Sequence, residues 1–162
     1  MLIGVTGDTH NNLKNISKIC SIFNELLPSK VIHTGDITLP KSLAAFSELK
    51  MPLVGVFGNN DIQERKGLLL ESNKFDCKLY DEPYSLEVED LNICILHHPD
   101  LIDDEMTKSN DFIFHGHTHR YRFDKENKSL IFNPGECAGL MKGKNSIGLV
   151  NTKTKIIEVI NF

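Results

Sequence analysis

Tryptophan is absent from this chain, and arginine nearly so: only Arg65, Arg120 and Arg122 occur in 162 residues. Lysine and arginine together number 18 against 22 acidic residues, and the formal net charge of −4 lacks the basic footprint of a polyanion binder. Dedicated nucleic-acid binding is therefore not expected. Long apolar runs are also missing. No stretch approaches the ~18 uninterrupted apolar residues of a membrane span. The opening Met1-Leu2-Ile3-Gly4-Val5 has neither the basic region nor the apolar core of a signal peptide, and reads as the first strand of a soluble protein. No C-x-x-C pair occurs among Cys20, Cys77, Cys94 and Cys137. Each lies in or beside an apolar stretch, so buried reduced thiols are expected instead of disulfides or zinc ligands, and with them a cytoplasmic compartment. Linkers, internal repeats and low-complexity tracts are lacking too, so residues 1–162 are expected to form one domain, long enough to bury a sizeable core without staples.

What is present is a change of rhythm halfway along. Short apolar runs at 2–6, 31–34 and 53–57 alternate with amphipathic stretches at 13–27, 39–49 and 62–70, a βαβαβα pattern that predicts parallel strands covered by helices. Pro40 suits a first helical turn, Pro28 closes the first helix, and Asp61 is expected to cap the third. The second half carries short β-rich runs at 84–89, 91–96, 112–114, 120–123, 130–132, 146–150 and 156–160, with one helix at about 101–108. Glu89-Asp90, Glu126-Asn127 and Thr152-Lys153 predict hairpin turns. Two packed sheets with helices outside accommodate both halves.

The chemistry is concentrated in a few polar blocks. Phe114-His115-Gly116-His117-Thr118-His119 places three of the seven histidines within five residues. Asp8-Thr9-His10, Gly35-Asp36, Gly58-Asn59-Asn60-Asp61 and His97-His98 lie at four points upstream, each at the predicted carboxyl end of a strand. Ligands of open α/β sheets bind beyond those ends, so these blocks are expected to meet at one rim. A set of Asp8, His10, Asp36, Asn59, His97, His117 and His119 is an oxygen-and-imidazole shell without thiolate. That suits divalent manganese first, with iron, nickel or zinc also admissible. Two such ions about 3.5–4 Å apart can bind a phosphoester and activate water between them. Seven ligands serve two ions only if one carboxylate bridges, and Asp36 is the expected bridge.

The order Asp-x-His, Gly-Asp, Gly-Asn-x-Asp, His, Gly-His-x-His resembles the calcineurin-like metallophosphoesterase superfamily over nearly the entire chain. Val31-Ile32-His33-Thr34-Gly35-Asp36, Asn133-Pro134-Gly135-Glu136 and the compact length resemble its small bacterial and archaeal phosphodiesterases. The resemblance implies a four-layer αββα sandwich of two mixed sheets flanked by helices. It also implies a phosphodiesterase or broader phosphoesterase reaction, in which hydroxide activated by two metal ions attacks phosphorus in line. By the same correspondence one ion falls to Asp8, His10, Asp36 and His119, the second to Asp36, Asn59, His97 and His117. His98 is the alternative to His97.

One departure bears on chemistry. Many relatives have a histidine after the metal-binding asparagine, whereas here Asn60 stands there, and an amide cannot donate a proton near neutrality. Asp36, Asn60 and His98 are the expected catalytic residues. A preference for esters with good leaving groups follows, and His98 or His115 could supply the missing donor. His33 is expected to be a hydrogen-bonded core histidine, Arg120 an exposed strand-edge residue, and Glu136 a cap, an acceptor for a histidine or a surface group. Leu68-Leu69-Leu70 with Phe75 suits core or a subunit contact, which leaves a homo-oligomer open. Two competing functions remain: a non-catalytic metal-binding scaffold of the same fold, as in a retromer subunit, and a nuclease, which the acidic balance disfavours.

Overall fold

Side chains of successive strand residues point to opposite faces, so a strand buried on both sides must be apolar throughout. The computed structural model, which describes residues 1–162, follows this rule through the first half of the chain. β1 (Leu2–Thr6), β2 (Lys30–His33), β3 (Leu53–Val56) and β4 (Cys77–Tyr80) run parallel, linked by α1 (Leu13–Leu26), α2 (Pro40–Ala45) and α3 (Arg65–Ser72). β10 (Ser146–Asn151) and β11 (Ile156–Asn161) extend this sheet antiparallel on the far side of β1, giving the order β11-β10-β1-β2-β3-β4.

The second sheet has the order β5-β6-β7-β9-β8. It comprises β5 (Tyr84–Val88), β6 (Leu91–Ile95), β7 (Phe112–Phe114), β8 (Arg122–Glu126) and β9 (Ser129–Asn133). β6, β7 and β9 are parallel; β5 and β8 pair antiparallel at its edges. α4 (Asp104–Ser109) precedes β7.

Four layers result from the alternation. Ile3, Val5, Ile32 and Val56 of the first sheet meet Ile93, Ile95, Phe112, Phe114 and Phe132 of the second in one buried cluster. Val31 and Leu53 point the other way, onto Ile16, Ile19, Cys20 and Phe23 of α1 and Leu43, Phe46 and Leu68 of the α2 and α3 region. Cys94, Ile113 and Ile131 likewise turn outward beneath Met106 of α4. Each fully buried aliphatic or aromatic side chain contributes roughly 1.5–3 kcal/mol relative to exposure, so the cluster between the sheets dominates their association.

Several local expectations are adjusted. The third helix starts at Arg65, because residues Asn59–Glu64 form a tight 3-10 turn, and Asp61 closes that turn instead of capping α3. The helix expected at 39–49 ends at Ala45 and tightens into a 3-10 turn over Phe46–Glu48. The 101–108 helix starts at Asp104, where Asp103 accepts from the Met106 N–H. The strand expected at 120–123 is β8, shifted to Arg122–Glu126. β4 is an additional strand whose four residues alternate Cys77 and Leu79 inward with Lys78 outward. The three hairpin turns connect β5 to β6, β8 to β9 and β10 to β11. Of the Leu68-Leu69-Leu70 run, only Leu68 is buried. No helix is long and apolar enough to cross a membrane.

Candidate metal centre

The polar blocks follow the carboxyl ends of β1, β2, β3, β6 and β7, and backbone hydrogen bonds lock their loops together. Asp8 N–H donates to Gly35 C=O and His10 N–H to Asp36 C=O, both at 2.9 Å. His117 N–H, from the other sheet, donates to Asp8 Oδ1 at 3.1 Å. Asp8, His10, Asp36, His117 and His119 all adopt positive φ, between 45° and 69°. Non-glycine residues tolerate that region poorly, at a cost of order 1 kcal/mol each, so the surrounding contacts must hold these side chains where they are.

Glycine makes the close approach feasible. A Cβ on Gly58 would lie 2.3 Å from Asp36 Oδ1, and Gly35, at φ +100°, would meet the His97 ring at 2.7 Å. Asp61, buried behind them, accepts from the backbone N–H groups of Gly58 at 2.7 Å, Asp36 at 2.9 Å and Thr38 at 2.5 Å. One carboxylate thereby fixes the two loops that carry Asp36 and Asn59.

Three overlapping groups of donor atoms emerge, one of them made by His97, His98 and His117. Asp8, His10 and His119 offer ligand atoms within 4.8 Å of one another, as do Asp8, Asp36 and His97. His10 Nε2 and His119 Nε2 are 3.3 Å apart. On the other side, Asn59 Oδ1 lies 3.1 Å from both His97 Nε2 and His117 Nδ1. Asp36 Oδ2 stands between the groups, 3.7 Å from His10 Nε2 and 3.5 Å from His97 Nε2. All seven residues singled out in the sequence therefore converge.

The far nitrogens of three imidazoles are already committed. His97 Nδ1 lies 2.9 Å from Thr34 C=O, His119 Nδ1 2.6 Å from Glu136 Oε2, and His10 Nδ1 3.3 Å from Thr38 Oγ1. The Thr34 carbonyl and the Glu136 carboxylate can only accept, so they favour a proton on Nδ1 of His97 and His119 and leave those two Nε2 lone pairs facing the centre, the arrangement a metal ligand needs, whereas the Thr38 hydroxyl can either donate to His10 or accept from it. Burial also lowers the basicity of His10 and His97, which keeps them in the neutral form that coordinates.

The carboxylates fit a cation as well. Burial pushes Asp8 up to about 7, against the lowering influence of His119, and its Oδ2 is buried without any hydrogen-bond partner. A buried anion with an orphaned oxygen is costly unless a positive charge sits beside it. Burial raises Asp36 too, but His97, two hydrogen bonds from Asn60 and His10 outweigh it and hold the group below the usual carboxylate range.

Other candidates take distinct places. Asn60 donates to Asp36 twice, from its backbone to Oδ1 at 2.9 Å and from its amide to Oδ2 at 2.7 Å. His98 is one-third exposed, and its ring lies 4.5 Å from that of His117, centroid to centroid. Glu82 fixes it, accepting at 2.6 Å from Nδ1 and also from the backbone N–H groups of His97 and His98. His33 is fully buried, pairs through Nε2 with Thr9 Oγ1 at 2.9 Å and is pushed by burial down to about 3. His115 is buried, makes no contact from Nε2, and lies outside the donor groups. Glu136 proves to be the acceptor for a histidine. Glu82 was not anticipated, because nothing local distinguishes a glutamate 16 residues before its partner.

Comparison with known proteins agrees with this geometry. Residues 1–155 match the model of the calcineurin-like phosphoesterase superfamily domain. The chain is 34% identical over 160 residues to phosphodiesterase MJ0936 of Methanocaldococcus jannaschii, covering 96% of this chain and 95% of that protein. Among solved structures, an archaeal phosphodiesterase superposes with a TM-score of 0.87 at 32% identity, covering both chains completely. The phosphoesterase YfcE of E. coli shares the fold, with a TM-score of 0.73 at 16% identity over 99% of this chain and 98% of its own. With its full-length match and its clustered aspartates and histidines, the chain belongs to the calcineurin-like phosphoesterase superfamily.

Proposed function

We propose that this protein is a metal-dependent phosphodiesterase acting on a small phosphate ester, with two divalent ions, manganese by preference, in the centre described above. The observation that carries this reading is the position of Asp36 Oδ2 between His10 Nε2 and His97 Nε2, so that Asp36 would belong to both ligand sets. Asp8, His10, His119 and Asp36 would hold one ion; Asp36, Asn59, His97 and His117 would hold the other. When bound, such a pair supplies Lewis acidity, which lowers the pKa of water and offsets charge on the phosphoryl oxygens.

The protein's own residues do the positioning. Asn60 steadies the Asp36 carboxylate from both its backbone and its amide, and Glu82 holds His98 beside His117 at the edge of the centre. Because position 60 is an amide, no proton comes from there, and esters with acidic leaving groups are the preferred substrates. Four buried thiols suit a cytoplasmic location, and the whole of 1–162 acts as one domain.

The test is hydrolysis of bis(p-nitrophenyl) phosphate beside p-nitrophenyl phosphate, by metal-stripped protein reloaded with manganese. Asp36→Asn is the control, with metal content measured in parallel. Diester cleavage lost in the control together with bound metal supports the reading. Monoester preference would redefine the protein as a phosphatase. Two bound ions without turnover of either ester would favour a binding scaffold, and unchanged turnover in Asp36→Asn would refute the bridge.

A further inference from the structure

A cavity of about 530 Å³ opens beside the centre, sharing His119 and Glu136 with it and bounded by Arg120, Tyr121, Met141 and Lys144. Its volume falls within the range of small-molecule sites. Three features of its wall bear on what it can hold.

Cations come first. Of the three arginines, Arg65 is paired with Asp81 and Arg122 with Asp124 and Glu126, whereas the Arg120 guanidinium contacts no carboxylate and makes no hydrogen bond. The Lys144 ammonium also has no ion-pair partner, as is the case for most lysines of this chain, and it lines the same wall. Glu136 is the one carboxylate in the wall, and it neutralises neither of them, because Oε2 is 2.6 Å from His119 Nδ1 and Oε1 accepts from Leu140 N–H at 2.7 Å.

Apolar surface is the second feature. Tyr121 and Met141 stand 58% and 41% exposed on this wall, an aromatic and a polarizable side chain suited to the face of a planar group. The third is position: His119 belongs both to the donor cluster and to the cavity, so one ligand can reach from the centre into the pocket.

We propose that this cavity is a specificity subsite for the substituent of the phosphoester, selecting an aromatic or apolar group that carries its own anion, such as a carboxylate or a second phosphate. Arg120 and Lys144 engage that anion; Tyr121 and Met141 cover the scaffold bearing it. The inference rests on the phosphodiesterase reading, since the centre anchors one end of the ligand. It also gives a binding role to Arg120, which is exposed as expected but lies in the loop before β8 and not on a strand edge.

The test separates the two ideas. Manganese-loaded protein is titrated calorimetrically with phenylphosphonate and 4-carboxyphenylphosphonate, which cannot be hydrolysed and differ only in the distal anion. The carboxylated ligand should bind about tenfold more tightly, as expected for a charge-assisted contact on a partly open wall. In the Arg120→Ala/Lys144→Ala double variant the ratio should fall to within twofold. Lys78→Ala, which removes a charge from the distant β4 edge, should retain it. A second readout is KM for p-nitrophenyl phenyl phosphate against p-nitrophenyl 4-carboxyphenyl phosphate, which share one leaving group. Equal binding of the two phosphonates by the unmodified protein, or a ratio that survives the double variant, overturns the subsite. Selective phosphonate binding without hydrolysis of either diester would overturn the catalytic reading while upholding the subsite.

Discussion

Glu136→Gln isolates the contribution of a single buried contact to the metal centre. Glu136 is 1% exposed, with one oxygen 2.6 Å from His119 Nδ1 and the other 2.7 Å from Leu140 N–H. A glutamine of equal shape has only one oxygen. If that oxygen serves Leu140, its NH₂ confronts the His119 Nδ1–H, and the imidazole relieves the clash by moving its proton to Nε2. That atom faces Asp8 at 3.8 Å and is the one a cation needs. If the oxygen instead serves His119, the Leu140 N–H loses its acceptor. Losing such an outer contact typically weakens metal affinity 10–100-fold, or about 1.4–2.7 kcal/mol. Calorimetric titration of manganese against a competing chelator reads this directly. Saturating manganese should restore most of kcat, and thermal unfolding of the metal-free variant should show that the fold persists. An affinity within twofold of the unmodified protein would refute the claim that Glu136 sets the orientation and tautomer of His119.

Further expectations concern the rest of the molecule. Phe114→Ala, which empties a fully buried position between the sheets, should cost about 3–5 kcal/mol in urea unfolding, and a loss under 1 kcal/mol would refute the assigned core. Burial holds His33 down to about 3 from its ordinary 6.5, so below pH 6.5 the unfolded chain binds a proton that the native state refuses. Stability should fall by about 1.4 kcal/mol per pH unit on this account as the pH drops from 6.5 towards 3. His33→Gln should flatten the profile by that slope, and an identical slope in the variant would exclude His33 as the cause. Burial also pushes Cys20, Cys77 and Cys137 up to about 12 and Cys94 up to about 11. A thiol-disulfide reagent such as DTNB should therefore find no reactive thiol in the native protein and four after denaturation, and a fast native reaction would contradict their burial.

Much of the architecture is legible in local pattern. Apolar runs such as Leu2–Thr6 and Phe112–Phe114 announce strands buried on both faces, and period-two alternation puts Val31 and Ile32 on opposite faces, although only the tertiary structure turns Ile32 between the sheets and Val31 towards the helices. Side-chain type and place along the chain likewise single out Asp8, His10, Asp36, Asn59, His97, His117 and His119, because each follows a strand end where ligands gather. β4 escapes this reading because its four residues are half polar, and the 3-10 turn at Asn59–Glu64 escapes it because the contacts from Asp61 to Asp36 and Thr38 draw it tight across 23 to 25 residues of sequence.

Only the tertiary structure decided the partners. That Glu82 holds His98, that Glu136 holds His119, and that Asp36 Oδ2 stands between His10 and His97 depend on the order of strands in two sheets and on how those sheets stack. The same holds for the cavity that joins Arg120 to Lys144. A residue's own neighbours in sequence set its conformation and its preferred face. Which distant group completes its hydrogen bonds is set by long-range packing, and no local pattern carries that information.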